Sequence, residues 1–156
     1  MKYILLIFAI IFFSACSIKE YSNTQTKIFI IKSPQIKFAD IGYIRNTNEA
    51  VELELFMAGK VIERISINHL ICVRNGCMSK RGFNEDYLHP TYPDNILQNI
   101  LLGNEIYDGQ NRIKTDNGFE QNIESKYVDI IYKVNKDSIL FKDRKNRIIF
   151  KIKDTK

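Results

Sequence analysis

Three cysteines and two histidines are the side chains in this chain with the most chemistry to offer. Cys72 and Cys77 bracket the stretch "CVRNGC", and the Asn75-Gly76 within it is a favoured dipeptide for a tight hairpin turn, because both residues tolerate positive φ. The spacing puts the two thiols on adjoining arms of one hairpin. With Asn75 and Gly76 alone at the tip, Arg74 would face Cys77; a four-residue loop, Val73 to Gly76, would set the sulfurs opposite each other. A disulfide there would remove roughly 2 kcal/mol of unfolded-chain entropy, since the ring it closes is short. Two other chemistries use the same atoms: a tetrahedral zinc site from His69, Cys72, Cys77 and His89, and a reactive dithiol. Cys-x4-Cys is neither the Cys-x2-Cys of a zinc knuckle nor a thioredoxin-like motif, so a structural disulfide is the expectation. Cys16 is left over, as a reactive thiol, half of a disulfide, or a point of attachment.

Hydrolytic signatures such as Gly-x-Ser-x-Gly and His-Glu-x-x-His do not occur, and there is no Gly-rich phosphate loop. Alternation places most carboxylates on wet strand faces, where no pair is singled out for acid-base work. The sequence thus points away from an enzyme and implies no cofactor.

The residues before Cys16 explain it. Lys2 gives a positive start, Tyr3 to Phe13 is apolar without a break, and Ser14-Ala15-Cys16 resembles the lipobox of bacterial lipoproteins. The run is shorter than the roughly 20 residues a spanning helix needs. The resemblance implies a signal peptide over residues 1–15, diacylglycerol on the Cys16 thiol, and a mature chain held by lipid; Phe13 stands where Leu is usual. Ser17 follows where an Asp would signal retention in the inner membrane of enterobacteria, which favours the outer membrane, with the domain facing the periplasm. Without Cys16, Cys72 and Cys77 form an even pair in an oxidising compartment.

About 140 residues then remain, enough for one domain with one core. The net charge of +5 is scattered among strand-like segments, a solvated face and not a block, so nucleic acid is not an expected partner, whereas weak attraction to anionic headgroups is. Residues 16–26 read as the lipidated N-terminus and tether, and 27–156 as the domain.

The elements that position these residues are mostly strands. In "KYVDIIYKV" Val128, Ile130, Tyr132 and Val134 share a face, and in "RIIFKIK" Ile148, Phe150 and Ile152 do, opposite Arg147, Lys151 and Lys153. Joined through "SILFKDR", residues 126–153 form a three-stranded meander. Ile28 to Lys32, Ile36 to Ile44, Val51 to Met57 and Val61 to Ile67 are further strands, with Ala58-Gly59-Lys60 as the tight link between the last two. "YPDNILQNILLG" instead spaces Ile96, Leu97, Ile100 and Leu101 as a helix, entered at Pro93-Asp94 and stopped at Gly103. One apolar helix stripe on a curled sheet of nine to eleven strands gives a mainly β fold, an unclosed antiparallel half-barrel with a helical lid.

This order of elements, with "ADIGYI", "VELELFMAGKVIERISI", "ILQNILLG", "NGFEQNIESKYVDIIYKV" and "KNRIIFKIKD", resembles LolB, the outer-membrane lipoprotein receptor, and its soluble relative LolA. The resemblance is one of pattern over nearly the whole mature chain. It implies an apolar hollow that takes acyl chains of lipoproteins or other lipids from a LolA-like periplasmic carrier, with no chemistry of its own. The implied lining is Ile36, Phe38, Val51, Leu53, Leu55, Ile96, Ile100, Val128, Ile130, Tyr132 and Phe150; alternation alone leaves open whether they enclose a greasy cavity or a dry core. It also implies a membrane-contact tip, best matched by Met57 and Ala58, although Ala58 is a poor wedge. The segment 77–95 has no counterpart and reads as a rim loop or a partner surface. The competing reading is a non-catalytic accessory or structural lipoprotein of an envelope complex on the same scaffold.

Overall fold

Period-two alternation decides the dominant element. In the computed structural model, which describes residues 21–155, the alternating segments are eleven antiparallel strands. They are β1 (Asn23–Lys32), β2 (Lys37–Asn46), β3 (Val51–Met57), β4 (Lys60–Ile67), β5 (Leu70–Val73), β6 (Gly76–Ser79), β7 (Arg112–Thr115), β8 (Gly118–Glu124), β9 (Asp129–Asn135), β10 (Ser138–Asp143) and β11 (Ile148–Asp154). Two short helices, α1 (Lys80–Tyr87) and α2 (Ile96–Leu102), lie between β6 and β7. The leader 1–15, Cys16 and the tether up to residue 20 lie outside the described residues. Strand β1 begins at Asn23, ahead of Lys27, so part of the expected tether is sheet.

All strands share one sheet in the order β6-β5-β4-β3-β2-β1-β11-β10-β9-β8-β7. Every neighbour is also a neighbour in sequence except β1 and β11, which pair through Lys27↔Asp154, Phe29↔Ile152 and Ile31↔Phe150. Two meanders thus grow outward from a seam between the first and last strands. Their outer edges, β6 and β7, do not pair with each other, so the sheet is an unclosed half-barrel. The chain crosses from one edge to the other through the helical segment and fills the hollow on the way. Phe29, Leu53, Ile65, Tyr132 and Phe141 from the strands are buried in one cluster with Phe83 of α1 and Ile96, Leu97, Ile100 and Leu101 of α2.

The expected helix forms where its stripe predicts. Asn95 precedes it, and Gly103 ends it in the left-handed region at φ 69°, where the Asn104 N–H donates to the Asn99 carbonyl at 2.9 Å. The meander over 126–153 also forms as read, with turns at Lys136-Asp137 and at Arg144 to Arg147. Inside the first meander, Gly42 lets β2 approach closely: a Cβ there would sit 2.7 Å from the Glu54 carbonyl and 2.9 Å from the Phe29 ring.

Two expectations need correction. The 77–95 segment is loop only over residues 88–95: Cys77 to Ser79 belong to β6, and Lys80–Tyr87 is helix α1, capped by the Ser79 hydroxyl, which accepts from the Gly82 N–H at 3.0 Å. The tip of the cysteine hairpin is Arg74-Asn75 and not Asn75-Gly76, since Val73 pairs with Gly76; Cys72 pairs with Cys77, as in the register that sets the sulfurs opposite each other. Gly76, at φ 131°, takes the strained backbone position just after the tip.

Candidate functional site: the hollow and its helical cover

The hollow is built from the inward positions of the strands and closed by α2. Every residue assigned to its lining is buried except Ile36, in the turn before β2, which is half-buried against the others. The side chains interlock: Phe119, Tyr132, Phe141 and Phe150 form a run of edge-to-face contacts with centroids 5.8 to 6.3 Å apart, and Tyr92 meets Phe141 at 5.8 Å. Ile96 and Ile100 enter this interior from the lid with no exposure.

Polar clasps hold the cover down, and the sequence pattern did not reveal them. The Tyr132 hydroxyl donates to the Asn104 carbonyl at 2.8 Å, tying β9 to the end of α2. Buried Gln121 of β8 accepts from the Ile106 N–H at 2.9 Å and donates to the carbonyls of Ile106 and Gln110 at 2.9 and 2.7 Å. The Tyr92 hydroxyl, ahead of α2, donates to Asp143 at 2.7 Å. The Asn84 side chain of α1 donates to the carbonyls of Tyr92 and Pro93 at 3.2 and 3.0 Å. In sequence, Gln121 and Asp143 read as solvated strand residues; only their parity with Phe119, Ile123 and Phe141 signals that they point inward.

Asp143 is fully buried and makes no ion pair among the described residues. Burial pushes its pKa up, but donors from Tyr92, Asn146 and the Asp129 backbone outweigh that and hold the carboxyl below its ordinary range. Burial, then the hydrogen bond to Asp143, drive the Tyr92 hydroxyl far above its usual value. Tyr107 is pushed up to about 12 by burial and by the charge of Asp143, and its hydroxyl is buried without a hydrogen-bond partner among the described residues.

The hollow opens at the end where β1 starts. A cleft of about 480 Å³ has an apolar floor of Ile44, Leu101, Val134, Ile139 and Ile152 and a polar rim that includes Asn23, Lys136 and the Lys27–Asp154 ion pair. Gly103 lies on its wall, with the Ile139 and Val134 side chains 3.2 and 3.3 Å from where a Cβ would be.

Cys72 and Cys77 are joined, S–S 2.04 Å, with Cα atoms 3.9 Å apart. Their sulfurs are thereby taken from the zinc alternative, and His69 and His89 join no cluster of three or more metal-ligating side chains among the described residues. At the β3–β4 tip, Met57 and Val61 are exposed, while Ala58 and Gly59 occupy the two turn positions at φ 50° and 78°. Phe56 is half-buried, its ring edge-on to Tyr43 at 5.0 Å. Among the described residues no helix is long and apolar enough to cross a membrane. Comparison with protein-family models, curated proteins and solved structures gave no match, so the functional reading rests on the residues themselves.

Proposed function

We propose that this chain is a lipoprotein anchored through Cys16 to the outer membrane, and that its half-barrel receives the acyl chains of lipoproteins or other lipids from a LolA-like carrier and passes them to the bilayer. It works without bond-making chemistry. The supporting observation is that the hollow is closed by a helical segment and not by a strand. Displacing α2 breaks a few side-chain clasps and no ladder of the sheet, and it uncovers Ile96, Ile100 and the aromatic run beneath. An acyl chain exposed to the aqueous periplasm costs about 0.8 kcal/mol per CH2, and the apolar floor of the cleft, continued beneath α2, removes that cost.

A second reading is favoured by the close packing under α2: a filled interior suits an accessory lipoprotein that presents a rigid scaffold to an envelope complex. One experiment separates them. The chain from residue 16 onward, with Cys16→Ser, is purified, weighed by native mass spectrometry, and offered a palmitoylated peptide loaded on a periplasmic carrier. Retained lipid or one acyl peptide bound per chain is the expected result. A bare mass together with no uptake from the carrier overturns the receptor reading and leaves the scaffold.

A further inference from the structure

We propose that the convex face over β10, β11, β1 and β2 docks on an anionic phospholipid bilayer, an interaction separate from the acyl-binding hollow. Cross-strand register places the outward residues of these four adjacent strands side by side: Ile28 opposite Ile41 and Lys153, Ile30 opposite Lys151, Lys32 opposite Lys37 and Ile149, Leu140 opposite Lys151. Ile28, Ile30 and Ile41 are 37, 40 and 44 % exposed, high for aliphatic side chains in the middle of a sheet.

Lysines dominate the charge around them, with Asp40 of β2 the exposed carboxylate beside Ile41. Lys32, Lys37, Lys142, Lys151 and Lys153 make no ion pair among the described residues, whereas most carboxylates at outward positions of the flanking strands are already neutralised, Glu124 at the end of β8 being the exception on that strand. Glu120 holds Lys133 at 2.8 Å, Asp129 holds Arg144 at 2.7 Å, and Glu52 and Glu54 hold Arg45, with Arg64 also on Glu54. Positive charge is therefore left in the centre of the face, with apolar side chains between the cations. A headgroup layer of phosphates over hydrocarbon complements both, because lysine stems lie along the apolar surface and raise their ammonium groups to the phosphates while the isoleucines face the acyl boundary.

The start of the domain lies on the same side. The Tyr21 hydroxyl donates to Glu52 on the outer face of β3 at 2.7 Å. Only Ser17 to Glu20 separate Tyr21 from Cys16, so an acylated Cys16 keeps the domain within roughly 18 Å of the bilayer.

The test uses the chain from residue 16 with Cys16→Ser, so its outcome does not depend on acylation. Co-sedimentation is measured with vesicles of phosphatidylcholine alone and of equal parts phosphatidylglycerol and phosphatidylcholine. Binding to the anionic vesicles, its weakening in high salt, and a loss of about fivefold for each lysine replaced in Lys151→Ser/Lys153→Ser are expected, with Lys80→Ser on α1 unchanged. Equal binding to both vesicles, equal effects of the two sets of variants, or self-association of the chain with no vesicle binding would each overturn the proposal.

Discussion

Asp143 shows how much one side chain can organise. Its carboxylate gathers donors from the turn after β10, from the β9 backbone and from Tyr92, and so connects the C-terminal meander to the cover. Its folded-state pKa is depressed, so the stability it contributes is present above the unfolded value near 3.8 and is lost as pH falls through the depressed one. Glu54 behaves alike: burial works against it, but Arg45 and Arg64 lower its pKa. Urea denaturation of Asp143→Asn should therefore show a shallower acid-side loss than the parent. Tyr92→Phe should cost about 1 to 3 kcal/mol at neutral pH, because it leaves a buried carboxylate oxygen short of a donor. An unchanged midpoint in Tyr92→Phe would show that this clasp contributes nothing. The sequence did not disclose these two acids. Glu54 sits at an outward position in "VELELFM", where alternation reads solvent, and it is buried under Arg45 and Arg64 of the neighbouring strands β2 and β4, which bond to it.

At the scale of elements, the long strands and α2 were legible because each carries its own periodicity, whereas β7, with residues almost all exposed, carries none, and the polar start of β1 read as tether. Val51–Met57 has the bounds its alternation predicts, and the stripe from Ile96 to Leu101 with Gly103 behind it describes α2. Helix α1 was not legible: it buries only Phe83 and Asn84 in "KRGFNEDY", too little for a periodic signal. Of the two registers open for the cysteine hairpin, the one with the sulfurs opposite each other forms; Asn75-Gly76 is not the tip, because Gly76 supplies the positive φ just after it. The disulfide, by contrast, followed from the spacing of its cysteines once the arms were strands. It fastens β5 to β6 at the sheet edge that leads directly into α1. Cys72→Ser/Cys77→Ser should lower stability by about 2 kcal/mol, and hydrogen exchange should report faster opening of residues 70–79 and α1 than of the β1–β11 seam. Uniform loosening of the whole sheet would contradict a local role. The β3–β4 turn offers the opposite change. Ala58 is held at φ 50° without glycine's freedom, so Ala58→Asn should stabilise the fold by about 1 kcal/mol, measured as a higher urea midpoint.

The whole molecule hangs on a join that no local pattern announces. Alternation gives strands but not their partners, and the pairing of residues 27–32 with 149–154 lies at the far limit of sequence separation. That seam is the centre of the sheet, so its two strands should matter more than their length suggests, while the edges should matter less. Ending the chain before Ile148 removes the partner of both β1 and β10, takes Ile148, Phe150 and Ile152 from the core, and leaves two meanders with new open edges. The truncated chain should show no cooperative unfolding transition. Replacing the outer strand β7 (Arg112–Thr115), whose residues are almost all exposed, with a Gly/Ser linker of equal length should keep that transition, at a lower midpoint. The contrast is diagnostic: were the cover and one meander a self-sufficient unit, loss of β11 would leave a smaller but still cooperative transition. Because the seam pairs residues 27–32 with 149–154, nearly the whole chain must be drawn into one loop to close it, and folding should also be slow, measured as a refolding rate below that of a local-contact fold of the same length.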